Sequence, residues 1–191
     1  MKIAITGHRH GLGKVLTKNL LYHGHKVRGF DIVTDFNIND PDRREKIMSM
    51  TQGFDVFINN AYSAPGQFEM LMMTVGSEKF KHVVNIGSYV TRMTDQERNT
   101  DPGWLEYADH DRETYLEQKT LQENWIHEAR KNCKTLITTV NPGYMKTNLI
   151  NDPSTDQALS LADVSSAVLL QISLAEKNVL VPDMDIIFVS N

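Results

Sequence analysis

The chain has a single cysteine, no cluster of lysines or arginines, and no apolar run near the ~20 residues of a membrane-spanning helix. Each absence excludes something. Cys133 cannot pair within the chain, so no disulfide framework supports the fold. With 20 basic against 24 acidic residues and a formal net charge of -4, the chain lacks the basic footprint that a phosphate backbone selects. Neither nucleic acid nor a membrane is an expected partner. Met1 leads straight into a strand-like segment rather than a basic and then apolar leader, so the expected location is cytoplasmic. At 191 residues the chain can bury roughly 70% of the surface it exposes when unfolded, which makes disulfides and metals unnecessary for folding. One domain spanning 1–191 is the expected organisation.

What is present is an alternation. Short β-branched runs (KIAIT, KVRGF, DVFIN, HVVNI, TLITTV, DIIFV) are separated by segments of helical period at 12–23, 41–51, 66–80, 112–131 and 161–175. Alternation of this kind predicts βαβ units, an α/β fold with a doubly wound parallel sheet and helices on both faces, in three layers. In the first helix Leu12, Val15, Leu16 and Leu20 form one apolar face, and Gly24 is placed to end it in a left-handed cap. Segments 91–111 and 148–160 are polar, contain Pro102 and Pro153, and read as loops or short helical pieces.

The turn after the first strand reads TGHRHGLG, Thr6 to Gly13. In a doubly wound sheet this turn holds a dinucleotide's pyrophosphate against the N-terminus of the next helix, whose free N–H groups and dipole favour negative charge. Gly7 suits the sharp exit from the strand, Gly11 the approach of backbone to phosphate, and Gly13 the close packing of helix on strand. Asp31 ends KVRGFD, where a carboxylate accepts hydrogen bonds from the adenosine ribose and disfavours a 2'-phosphate. The expected cofactor is NAD or NADP, with NAD favoured by Asp31, while Arg9 within the loop can offset that preference. His8, His10, His23 and His25 have no cysteine or carboxylate at ligand spacing, so no metal site is expected.

Further on, Tyr115 and Lys119 lie four residues apart in a helical segment and therefore share a face. An ammonium beside a phenol favours the phenolate, which makes the tyrosine usable as a general acid or base. Ser88, in NIGSY, follows a strand at the sheet edge where such folds place ligands, and its hydroxyl can hold a substrate oxygen.

With these residues in place the chain resembles the short-chain dehydrogenase/reductase family along nearly its whole length. TGHRHGLG is similar to the family's TGxxxGxG loop, NNAY at 59–62 to its NNAG, YLEQK to its YxxxK, and NPGYMKT to its proline–glycine stretch with a following threonine. The resemblance implies a Rossmann-like fold and an oxidoreductase that transfers hydride between nicotinamide and a small carbonyl or alcohol. Tyr115 would be the acid/base, Lys119 would hold the nicotinamide ribose, and Ser88 would orient substrate. The loop residues Thr6, Gly7, His8, Arg9, His10, Gly11, Leu12 and Gly13 would contact the cofactor. So would Asp31, Asn37 and Ile38 near adenine, Asn60, Ala61 and Tyr62 centrally, and Pro142, Gly143 and Thr147 around nicotinamide.

The chain also departs from the pattern. It is shorter than the family's usual members, chiefly between NNAY and NIGS, where a long helix normally supplies an asparagine to a proton relay. No asparagine lies between Asn60 and Asn85, so a water or another side chain has to complete that relay. The same helix commonly builds the family's dimer, which leaves the expected homo-oligomer open. Tyr62 replaces a glycine and either covers the nicotinamide or fills space. The gap from Ser88 to Tyr115 matches longer members that act on nucleotide sugars, but the chain has no room for their extra domain, which favours a small substrate. Met70, Met72 and Met73 read as core, Trp125 and His127 as packing or subunit contacts, and Trp104, Tyr107 and His110 as either a lid or a surface excursion. Two alternatives stand beside the oxidoreductase: a dinucleotide-binding regulator or sensor with little turnover, and an epimerase or dehydratase that holds NAD tightly.

Overall fold

The structure is a computed structural model and describes residues 1–100, 112–145 and 158–187. Six strands, β1 (Lys2–Thr6), β2 (Lys26–Phe30), β3 (Val56–Asn59), β4 (His82–Ile86), β5 (Leu136–Pro142) and β6 (Asp183–Ile186), form one sheet in the order β2-β1-β3-β4-β5-β6. Every neighbouring pair is parallel. The helices are α1 (Gly11–Tyr22), α2 (Pro41–Met50), α3 (Gly66–Gly76), α4 (Asp95–Thr100), α5 (Arg112–Asn132) and α6 (Leu161–Glu176).

Alternate residues of the central strands feed two separate cores. Ile3, Ile5, Val56, Ile58, Val84 and Ile86 join Leu12, Leu16 and Leu20 of α1 and Val164, Val168 and Ile172 of α6 on one face. Ala4, Phe57 and Val83 join Ile47 of α2, Met70, Leu71 and Val75 of α3 and Ile126 of α5 on the other. That split is the doubly wound, three-layer α/β/α arrangement of a Rossmann-like fold, and it explains why β3 and β4 are continuous apolar runs. The edge strands β2 and β6 are exposed at alternate residues instead. Met70 is fully buried, in the core as its sequence position suggested.

Local chemistry sets the helix ends. α1 stops where Gly24, at φ 80°, lets its own N–H bond to the Leu21 carbonyl and the His25 N–H bond to that of Leu20, each at 3.0 Å. α2 begins with Asp40 accepting from the Asp42 N–H and with Pro41 in its first turn. α4 opens on a reciprocal box: the Glu97 N–H donates to the Thr94 hydroxyl, and the Thr94 N–H donates to the Glu97 carboxylate. α3 is shorter than its predicted 66–80. Glu78 turns left-handed at φ 50° and closes its N–H on the Val75 carbonyl, which ends the helix at Gly76.

The chain leaves β1 toward β2 on one side and returns to β3 on the other, so the loops after β1 and β3 diverge at a topological switch point. Here α1 presses on the exit of β1. A Cβ added at Gly13 would lie 2.0 Å from the Gly7 carbonyl oxygen, which is backbone and cannot swing aside. Gly13→Ala is therefore expected to destabilise the fold by roughly 1–3 kcal/mol, read as a lower urea midpoint; an unchanged midpoint would refute the close approach.

His82 is buried, and its Nε2 lies 2.8 Å from the Thr138 hydroxyl across β4 and β5. Burial lowers its pKa from 6.5 to about 4. The unfolded chain therefore binds this proton more readily, so stability is complete above pH 6.5 and falls as pH drops toward 4. The loss across that window is expected to be on the order of 3 kcal/mol in wild type and absent in His82→Gln. Urea titrations at several pH values check it, and equal slopes in the two proteins would exclude His82 as the source.

Candidate active site

The β1–α1 turn is held from both sides. Gly7, at φ 70°, donates its N–H to the Phe30 carbonyl at 2.7 Å, and the Arg9 N–H donates to Asp31 Oδ2 at 2.9 Å. From the β3 side, Asn60 Nδ2 donates to the Thr6 carbonyl at 2.9 Å, while the buried Thr6 hydroxyl accepts the N–H groups of Asn60 and Ala61. Asp31 is 5% exposed, and its other oxygen accepts the Val33 N–H at 3.2 Å. His10 sits at the N-cap of α1 without a side-chain hydrogen bond to the helix, so no side chain of its own occupies the first N–H groups.

The turn opens on a cleft of about 1290 Å³ along the carboxyl ends of the strands. Of the residues expected at a cofactor, Gly7, His10, Gly11, Leu12, Gly13, Asp31, Asn37, Ile38, Asn60, Ala61, Tyr62, Pro142 and Gly143 line it. Ser88, Tyr115 and Lys119 line the same cleft. Thr6, His8 and Arg9 are not among its lining residues: Thr6 lies beneath the turn, and His8 and Arg9 face a shallower hollow beside α1. The His8 ring lies against the backbone of Gly29, where an added Cβ would fall 2.1 Å from it. Thr147 lies outside the described residues, as do Trp104, Tyr107 and His110.

Ser88 leaves β4 as the cap of a short 3-10 turn, its hydroxyl 3.4 Å from the Val90 N–H. Tyr115 and Lys119 share a face of α5 that continues through the buried Gln122 and Ile126. Lys119 is 4% exposed and its Nζ lies 5.5 Å from the Tyr115 ring centroid and 5.3 Å from that of Tyr62. The two rings meet edge to face at 4.8 Å. Tyr62 thus packs against the proposed acid/base residue and lines the cleft as well, so space filling and site lining coincide. Trp125 packs on Phe68 of α3, whereas His127 is exposed.

Burial pushes the Lys119 ammonium down to about 7, because no carboxylate among the described residues offsets the cost of removing it from water. Its hydrogen bonds go to neutral oxygens, Gln67 Oε1 at 2.7 Å and the Ile86 carbonyl at 2.9 Å. Gln67 is the site residue that motif reading missed. The signal was available, since Gln67 stands in the stripe Gln67, Met70, Leu71, Thr74 that faces the core from α3. Among the described residues no group of three or more histidine, cysteine, aspartate or glutamate side chains could hold a metal, and no helix is long and apolar enough to cross a membrane.

No protein-family model matches the chain, and no curated protein matches it in sequence. Solved structures do match in fold. One is the 3-alpha-hydroxysteroid dehydrogenase from Pseudomonas sp. B-0831 complexed with NADH, at 16% identity and TM-score 0.69 over 97% of this chain and 95% of that one. Another is a short-chain dehydrogenase from Burkholderia cenocepacia J2315 in complex with NADP, at 13% identity and TM-score 0.70 over 99% and 88%. The alcohol dehydrogenase from Thermococcus sibiricus, complexed with 5-hydroxy-NADP, matches at 13% and 0.70 over 100% and 98%. At these identities the likeness is one of architecture: the chain has the fold of the short-chain dehydrogenases.

Proposed function

We propose that the chain is an NAD(P)-dependent oxidoreductase that acts on a small carbonyl or alcohol, with Tyr115 as the acid/base, Ser88 orienting the substrate oxygen and Lys119 supplying the positive charge. The observation that carries this reading is convergence: Ser88 after β4 and the Tyr115–Lys119 pair on α5 come from two separate elements, yet line the same cleft as Asp31 and the glycine turn. That cleft exceeds the roughly 300–1,000 Å³ of a single small-ligand pocket.

The residues present fit a dinucleotide. Gly7 and Gly13 carry no side chain where the turn and α1 come closest, and an added Cβ at Gly13 would strike backbone. The N-terminus of α1, without a side-chain cap, suits a pyrophosphate. Asp31 would accept from the adenosine ribose and favours NAD over NADP, and Asn37, Ile38, Asn60, Pro142 and Gly143 would border the rest. When bound, the nicotinamide supplies or accepts the hydride. The Ser88 hydroxyl donates to the substrate oxygen and Tyr115 gives that oxygen its proton in reduction or takes it in oxidation. The Lys119 ammonium, close to the phenol ring, favours the phenolate form and so lowers the cost of that exchange.

Three outcomes follow for measurement. Fluorescence titration is expected to give tighter binding of NADH than of NADPH, and Tyr115→Phe is expected to keep that binding while lowering turnover of a carbonyl panel, followed at 340 nm, by about 10²–10⁴-fold. Cofactor binding with no Tyr115-dependent turnover would favour a regulator over an enzyme. Lys119 is charged below its pKa of about 7, so carbonyl reduction by the protonated pair is expected to fall as pH rises through that value; a rate that is flat or rising from pH 6 to pH 8 would contradict the assigned role.

A further inference from the structure

The resemblance implies a long helix that supplies an asparagine to a proton relay, and no asparagine lies between Asn60 and Asn85. Around Lys119 runs a chain of buried amides. Gln67 Oε1 accepts from Lys119 Nζ at 2.7 Å and from Gln122 Nε2 at 3.3 Å. Gln67 Nε2 donates to the Asn59 carbonyl at 3.2 Å and the Ile86 carbonyl at 3.1 Å. Asn85 Nδ2 donates to Gln122 Oε1 at 3.3 Å, and Asn59 Nδ2 donates to Asn85 Oδ1 at 2.9 Å. All five side chains are buried.

The partners dictate which way the Gln67 amide faces. An ammonium only donates, so it requires the oxygen; two backbone carbonyls only accept, so they require the NH₂. Only an amide satisfies both ends, because glutamate has no donor for the carbonyls and methionine no strong acceptor for the ammonium. Lys119 has three N–H bonds, of which Gln67 and the Ile86 carbonyl take two. The Nζ also lies 5.3 Å and 5.5 Å from the Tyr62 and Tyr115 ring centroids.

We infer that Gln67 is a positioning residue: it grips the Lys119 ammonium directly and holds it beside Tyr115. The inference rests on the reading of Tyr115 and Lys119 as the proton-handling pair. Its consequence is that the back of Lys119 is closed by protein oxygens, so the Tyr115 proton is renewed from the cleft. A neutral acceptor also keeps the ammonium near its titration point, whereas a carboxylate would fix it in the charged form.

The test is NMR titration of Lys119 through its labelled Cε, assigned by its loss in Lys119→Met, and it needs no substrate. In wild type the Gln67 side-chain NH₂ signals are expected to shift with the same midpoint as Lys119. Gln67→Glu is expected to raise that midpoint by about one unit or more, and Gln67→Met to lower it. The alkaline fall of carbonyl reduction should move in the same two directions, which a purely packing role would not produce. Unmoved midpoints in both variants overturn the inference. Should either variant fail to fold, Gln67 amide signals that stay flat through the wild-type Lys119 transition overturn it as well. A Tyr115→Phe protein with undiminished turnover would instead remove the oxidoreductase reading, whatever Lys119 does.

Discussion

The cost of burying one ammonium group governs the chemistry at the carboxyl edge of this sheet. Lys119 lies beneath the cleft with 4% of its surface exposed and, among the described residues, no carboxylate bonded to it, so neutral oxygens carry its charge. Those oxygens come from α3 and from the end of β4, which ties the placement of Gln67 and Ile86 to the position of α5. Gln67 has its own demands, met by the Asn59 and Ile86 carbonyls, and the requirement passes on to Gln122 and Asn85. Breaking any of these buried bonds would leave a polar group without its partner, so the members are constrained together.

α3 ends at Gly76, early in comparison with its predicted extent, yet its first turn carries the residue that contacts Lys119. Tyr62 sets a ring edge to face with Tyr115 at a position where the resembling family has glycine. Gln67 and Tyr62 thus contact the same pair of residues, one the ammonium and one the phenol.

The turn after β1 depends on a second constraint, close backbone approach. Gly13 sits where any side chain would collide with the Gly7 carbonyl, and Asn60 and Asp31 fasten the turn from opposite sides. Asp31 therefore has two roles that oppose each other little: it shapes the loop with one oxygen engaged by Arg9 and the other by Val33, and it presents a carboxylate to the cleft.

Much of this was written locally. Alternating β-branched runs and helical periods gave the strand and helix order, because fully buried parallel strands must be apolar and covering helices must be amphipathic. Gly24, Asp40 with Pro41, and the Thr94–Glu97 box are end signals whose partners lie within a few residues. Tyr115 and Lys119 share a face by helix geometry alone. The sequence could put Lys119 on one face with Tyr115 but could not name the partner of its ammonium. That partner, Gln67, is 52 positions from Lys119 along the chain. Periodicity and capping are set by neighbours in sequence, so the sequence alone determined the elements. Which buried oxygen meets a buried ammonium depends on how α3 and α5 pack across the sheet, and only the tertiary structure decided that.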